Sequence, residues 1–345
     1  MPDNRSLFPA LLGNDRLKKI LGGDILAGKL GHAYILEGPA GSGRHTAVLS
    51  AAAALSCENR LHFQHSLPCG ECIVCRKIKS GVSPDVLVIR RPEDRASIGV
   101  DQIRSLREDL YIAPNENEKK VYILEEADKM TVQAQNALLL SLEEPPPYVT
   151  FFLLTENAQA LLETIRSRAP ILRMQLFAAE QIVDMLKKEQ KYSSLSRSDP
   201  DRFAEAVTAG GGAFGRTKML LDHGTPENIG YVQLRTDALH FVSLLFTKDP
   251  AAASQMLLSL PKSREDVLSL LRLVLLALRD LCVCKKGADI PMMFFLSRSE
   301  CRPILEKTGL RRLNAAYDSL TEGYTDIQNN ASVQTVCTAL LMQKY

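Results

Sequence analysis

The chain of 345 residues is short of several features that would have fixed its class at once. No apolar run reaches the roughly 20 residues that cross a bilayer as a helix. Its opening, MPDNRSLFPALLGNDRLKK, lacks the charged-then-apolar design of a secretion signal. A cytoplasmic protein without membrane contact is the expectation. Charge of one sign is not in surplus either, since 42 Lys and Arg face 40 Asp and Glu. Strong indiscriminate binding to nucleic acid is therefore not expected, and any DNA contact would have to be local. Cysteine is sparse outside one place: four of the eight fall between positions 57 and 75, and the other four are scattered late. That distribution argues against a disulfide framework and for one metal site plus spare thiols. What is present suffices for ordinary cores, at 46% hydrophobic residues, and the length suits two or three domains.

The stretch from Glu37 to Thr46 reads EGPAGSGRHT. A phosphate loop reads G-x-x-x-x-G-K-[ST]: the glycines let backbone N–H groups curl around phosphates, Lys reaches the β/γ-phosphates, and the hydroxyl holds Mg²⁺. Gly38 and Gly43 keep that spacing, with Gly41 between them. The Lys position holds Arg44 and the hydroxyl position His45, followed by Thr46. A compact ammonium becomes a planar fork and a hard oxygen ligand becomes an imidazole, so the frame is kept while its chemistry is altered. The flanks suit the motif: His32–Leu36 is a short apolar run that predicts a strand, and Ala47–Leu55 predicts an Ala-rich helix. Upstream, Leu17, Ile20, Leu21, Ile25 and Leu26 predict an amphipathic helix within Asn14–Leu30. A plain glycine turn between any strand and helix would look the same.

Cys57, Cys69, Cys72 and Cys75 form a C-x11-C-x2-C-x2-C cluster. Four thiolates suit tetrahedral Zn²⁺, and two-residue gaps let the chain turn between ligands. With every ligand position filled by Cys, such a site would be closed and structural. The alternatives are four reduced thiols, or His62 or His65 substituting for one Cys.

Further on, Asp85–Ile89 predicts a strand, and Ile103, Leu106 and Leu110 predict a helix over Val100–Leu110. Val121–Leu124 followed by Glu125 and Glu126 has the shape of a Walker B strand, where the first acid serves Mg²⁺ and the second orients the attacking water. Carboxylates at a strand end can equally be ordinary solvated polarity. A helix over Ala134–Leu142 is stopped by Pro145–Pro147, and a buried-strand run over Val149–Thr155 ends in a hydroxyl. Beyond Leu176 the pattern turns helical: Ala178–Lys191, Arg202–Thr208, Leu234–Thr247, Val267–Val283 and Asn330–Gln343, with Gly210–Gly212 and Arg216 between.

GHAYILEGPAGSGR, the cysteine cluster, SGVSPDV, GVDQIRSLRE, VYILEEADKMTVQAQNALLLSLEEPP, FFLLTEN and TIRSRA stand in the order seen in bacterial clamp-loader subunits, which are AAA+ ATPases. The N-terminal half resembles that family. The resemblance implies an α/β fold: a RecA-like AAA+ P-loop domain over 1–176 with a small zinc module at 57–75, a helical lid over 177–224 and an all-α collar over 225–345. Two kinds of subunit compete. The motor subunit, gamma or tau, keeps an intact phosphate loop and an Asp-Glu Walker B and hydrolyses ATP, whereas delta prime has a decayed loop. Arg44, His45 and Glu125 match delta prime. Gly38, Gly41, Gly43, Arg44, His45, Thr46, Glu125, Glu126 and Thr155 would then outline a degenerate nucleotide site, with ATP and Mg²⁺ expected on neighbouring subunits. Ser167, Arg168 and Ala169 align with a Ser-Arg-Cys motif that supplies an arginine finger in trans, so Arg168 with Ser167 is the implied catalytic contribution. Arg216, at the family's sensor position, would have nothing to sense in an empty site. Implied partners are the gamma/tau motor subunits and the delta subunit in a hetero-oligomer that serves DNA polymerase III, with the sliding clamp and primed DNA reached through the complex. Two rivals stay open: a weak ATPase in which Arg44 replaces Lys, and a zinc-bearing nucleic-acid-binding protein using Arg90, Arg91, Lys119 and Lys120.

Overall fold

A computed structural model of the chain describes residues 7–61, 66–92, 95, 97–222, 226–247, 249–261, 263–288, 290, 292–295 and 298–343. His62 and His65, weighed above as ligands, lie outside the described residues. Two compact units are present, Met1–Leu176 and Phe177–Tyr345.

The first unit is built on strands β1 (Ala33–Glu37), β2 (Val86–Ile89), β3 (Lys120–Leu124), β4 (Val149–Thr155) and β5 (Ile171–Arg173), all parallel, in the order β2-β3-β4-β1-β5. The three inner strands are nearly continuous apolar runs because helices cover both faces, which a parallel sheet requires. Side chains alternate between two apolar layers. Tyr34, Leu36, Val121, Ile123, Phe152 and Leu154 face one, with helices α1 (Asp15–Leu26), α2 (Arg44–Leu55) and α3 (Ile73–Lys79). Ala33, Ile35, Tyr122, Leu124, Phe151 and Leu153 face the other, with α4 (Val100–Leu110), α5 (Val132–Glu143) and α6 (Glu163–Arg166). The parallel arrangement sends the carboxyl ends of β1, β3 and β4 to one edge of the sheet, where loops of α/β proteins gather ligands.

The second unit is helical. Ile182, Leu186, Tyr192, Phe203, Val207 and Leu220 form an apolar cluster among α7 (Ala179–Lys187), α8 (Gln190–Ser198), α9 (Pro200–Ala209) and α10 (Phe214–Leu221). A larger cluster, including Phe241, Leu270, Val274, Leu278, Leu313 and Leu320, is shared by α11 (Pro226–Phe246), α12 (Pro250–Ser259), α13 (Arg264–Lys286), α14 (Arg298–Leu305), α15 (Leu310–Gln328) and α16 (Val333–Met342). The stretch expected as one helix over Ala178–Lys191 is two, because Glu189 adopts extended backbone between α7 and α8. No described helix is long and apolar enough to cross a membrane.

Candidate functional sites: the glycine loop and the cysteine cluster

The loop leaves β1 at Glu37 and enters α2 at Arg44, so Arg44, His45 and Thr46 form the first helical turn, three residues earlier than the apolar pattern predicts. Gly43 caps α2 at φ 95 and Gly41 sits at φ 74, a region that L side chains rarely adopt. Gly38 is constrained by space instead: a Cβ there would lie 2.8 Å from both Met174 Cβ and Ser42 Oγ. The glycines thus have local reasons to be glycine, with or without a ligand.

The groups around the loop are engaged with one another. The Ala40 N–H, one of the donors that a phosphate loop turns toward its ligand, donates to Glu156 Oε1 at 3.0 Å. Arg44 Nη2 is 3.7 Å from the same oxygen. Glu156 reaches the loop because β4 lies beside β1, in a register that pairs Glu37 with Thr155. Burial pulls the Arg44 pKa down, while the charges of Glu156, Asp128, Glu126 and Glu125 oppose that shift. At the end of β3, Glu125 faces His45 Nε2 at 3.2 Å and accepts from Arg90 Nε at 2.7 Å. Glu126 has positive φ, 50, which turns the chain so that its carboxylate pairs with Arg91 at 3.3 Å. Thr155 is fully buried; its hydroxyl donates to Asp128 at 2.9 Å and its carbonyl accepts the Gly38 N–H at 3.1 Å. Below the loop, burial alone would raise the Glu37 carboxyl, but the Ala158 N–H and the Arg173 guanidinium hold it below its ordinary value. Glu156 and Asp128 are the members that motif reading missed as partners of the loop.

Arg168 is partly exposed, at 36% for its side chain, and paired to Glu143 at 2.7 Å. It also donates to the Thr164 carbonyl at 2.9 Å, and Ser167 donates to the same carbonyl at 3.0 Å, closing the end of α6. All four basic residues of the nucleic-acid reading have partners within the chain: Arg90 and Arg91 on the two acids, Lys119 on the Pro147 carbonyl at 2.6 Å, and buried Lys120 on Asp109 at 2.9 Å. They do not form a free basic patch.

The sulfurs of Cys57, Cys69, Cys72 and Cys75 all lie within 4.8 Å of one another, and Cys69 and Cys75 are 3.9 Å apart. Four thiolates around one tetrahedral ion, with bonds of about 2.3 Å, would stand about 3.8 Å apart. This set could hold a metal ion. Its setting differs from the polar turn that the spacing suggests: Cys57 and Cys75 are buried, and Cys72 is the N-cap of α3. The Cys72 N–H donates to Cys69 Sγ and the Cys75 N–H to Cys72 Sγ, each at 3.4 Å. Burial alone would raise the Cys69 thiol; the N–H groups of Cys72 and Glu71 and the neighbouring thiols outweigh it and bring it down to about 6. Burial pushes Cys57 and Cys75 up.

Residues 13–178 match the family described as "DNA polymerase III, delta subunit". DNA polymerase III subunit gamma of Buchnera aphidicola subsp. Schizaphis graminum is 33% identical over 181 residues, 52% of this chain and 48% of that protein. Subunit tau of Bacillus subtilis is 34% identical over 52% of this chain and 31% of that protein. Subunit delta' of Bacillus subtilis is 36% identical over 195 residues, 56% of this chain and 57% of that protein. A solved gamma subunit-related protein of Thermotoga maritima aligns over 94% of this chain and 97% of that one, at 18% identity and a TM-score of 0.46. The matched region spans about half or less of the first two of these relatives. Over residues 13–178, about half of its length, the chain is thus similar to the clamp-loader subunits of DNA polymerase III, the group of the delta' and gamma/tau subunits.

Proposed function

We propose that this chain is a delta-prime-like subunit of a DNA polymerase III clamp loader, assembling with ATP-hydrolysing gamma/tau-type motor subunits and a delta subunit to place a sliding clamp on primed DNA. In this reading its own nucleotide site is degenerate and Arg168 serves a neighbour's site. The observation that carries the reading is the loop's internal anion: Glu156 takes the Ala40 N–H and faces Arg44. Glu125, in the Mg²⁺-serving position, is committed to His45 and Arg90. Four carboxylates close enough to act on Arg44 also make this a poor place for a triphosphate, since like charge raises the cost of bringing it there. Identity does not separate delta' from gamma/tau, at 36% against 33–34%; the delta-prime reading rests on the loop's residues.

The chain then contributes Arg168 across a subunit boundary, where a guanidinium neutralises charge developing on the transferring phosphoryl group, an effect worth about 10³ to 10⁵ in rate. To act there it must exchange Glu143 for phosphate. Cys57, Cys69, Cys72 and Cys75 would hold a structural Zn²⁺, with the α3 N-terminus fixing two of them. The two separate apolar clusters of Phe177–Tyr345 support a division into a lid over 177–224 and a collar over 225–345.

The deciding measurement is DNA-stimulated ATPase of a reconstituted complex with the motor subunit. Arg168→Ala should lower turnover by at least about tenfold while the complex still assembles on gel filtration; unchanged turnover would refute the trans role. Elemental analysis of carefully prepared protein should find close to one zinc per chain, and a small fraction of that would exclude the metal reading.

A further inference from the structure

Among the cysteines outside the cluster, two face each other. Cys284 sits in the last turn of α13 and Cys301 in α14. Their sulfurs are 3.5 Å apart, and the Cys284 sulfur also lies 3.8 Å from the Met292 sulfur. Cys301 is fully buried, whereas Cys284 is partly open to solvent. Cys282, by contrast, donates to Asn314 Oδ1, and Cys337 is buried in α16.

The surroundings hold this pair in place. Asp280, one turn before Cys284 and on the same face of α13, is fully buried. Its carboxylate accepts the N–H groups of Met293, Phe294 and Phe295 at 2.8, 2.7 and 3.2 Å, and Arg279 donates to it at 2.8 Å. Met293–Phe295 are thus fastened to the helix that carries Cys284. Bonded sulfurs stand about 2.0 Å apart, so the pair has about 1.5 Å to close, a distance within the reach of side-chain rotation.

We propose that Cys284 and Cys301 are an oxidation site at which a hydroperoxide forms a reversible disulfide between α13 and α14. The Cys284 thiolate, the accessible partner, attacks the terminal peroxide oxygen; the O–O bond breaks and an alkoxide, or hydroxide from hydrogen peroxide, leaves, giving a sulfenic acid at Cys284. The Cys301 thiol then attacks that sulfur, the S–O bond breaks, and its proton departs with the hydroxyl as water. Two thiols lose two electrons in total and the peroxide gains them. Burial raises the Cys301 thiol, which leaves the first attack to Cys284. A dithiol reductant reverses the link by exchange.

The test exposes the purified full chain to hydrogen peroxide, blocks the remaining thiols, and maps peptides by mass spectrometry. A Cys284–Cys301 cross-linked pair should appear, vanish with dithiothreitol, and be absent from Cys301→Ala, in which Cys284 should instead be trapped by dimedone. Cys284→Ala, which alters the less buried partner, should also lose the link and leave Cys301 free to alkylate. If Cys284 and Cys301 both stay alkylatable while other cysteines of the same folded sample oxidise, or if Cys284 links to a different cysteine, the proposal is wrong.

Discussion

Single residues decide what the glycine loop can do. Restoring the motif by Arg44→Lys, His45→Thr and Glu125→Asp returns the ammonium, the hydroxyl and the shorter acid, yet leaves Glu156 on the Ala40 N–H. We expect this triple variant to take up little labelled ATP in filter binding, and the same variant with Glu156→Gln to take up clearly more. Equal uptake by the two would remove Glu156 from the explanation. Glu37, directly before the loop, gives a pH signature. Its folded-state pKa lies below the ordinary 4.5, so its contribution to stability is complete above that value and is lost as pH falls through the folded one. Urea midpoints of the wild type should therefore drop more steeply below pH 4.5 than those of Glu37→Gln; parallel curves would contradict the assignment. The altered residues of the loop were legible in the sequence because the glycine spacing marks where Lys and Thr would stand. Glu156 was not, because its contact with Ala40 spans 116 positions and exists only once β4 lies beside β1.

At the scale of elements, the apolar runs announced every inner strand, and Ile103, Leu106 and Leu110 announced α4. The start of α2 was hidden because Arg44, His45 and Thr46 are polar and add nothing to an apolar period. Helix α3 was hidden for a different reason: its seven residues are too few to display a period, and its first turn is capped by a cysteine that reads as a ligand. Nor does sequence reveal which acids are buried. Asp85, at the start of β2 and fully buried, accepts the N–H groups of Asn115, Glu116 and Asn117 at 2.6, 2.8 and 2.8 Å, and so ties the turn before β3 to the neighbouring strand. Asp85→Ala should cost about 2 to 4 kcal/mol in chemical denaturation, since three donors lose a charged acceptor. A loss below about 0.5 kcal/mol, the size of an ordinary surface change, would mean that the turn holds itself.

For the whole molecule, the family model matches residues 13–178, whereas in Phe177–Tyr345 the motifs name only Arg216. The helical half is readable as helices from Val267–Val283 and similar runs, but a helix period says which face is buried and not by whom. Its lid and collar roles rest on the proposed assembly and stand or fall with the gel-filtration test of the reconstituted complex. The contact between Glu156 and Ala40 has a further meaning at this scale. A carboxylate tethered to the loop it occupies acts as a ligand that dilution cannot remove, at an effective concentration of about millimolar or more. Any dissolved phosphate compound has to outcompete that local supply to reach the Ala40 N–H. In the proposed reading the loop is thereby a threshold device in concentration, opening that donor only where a ligand is plentiful.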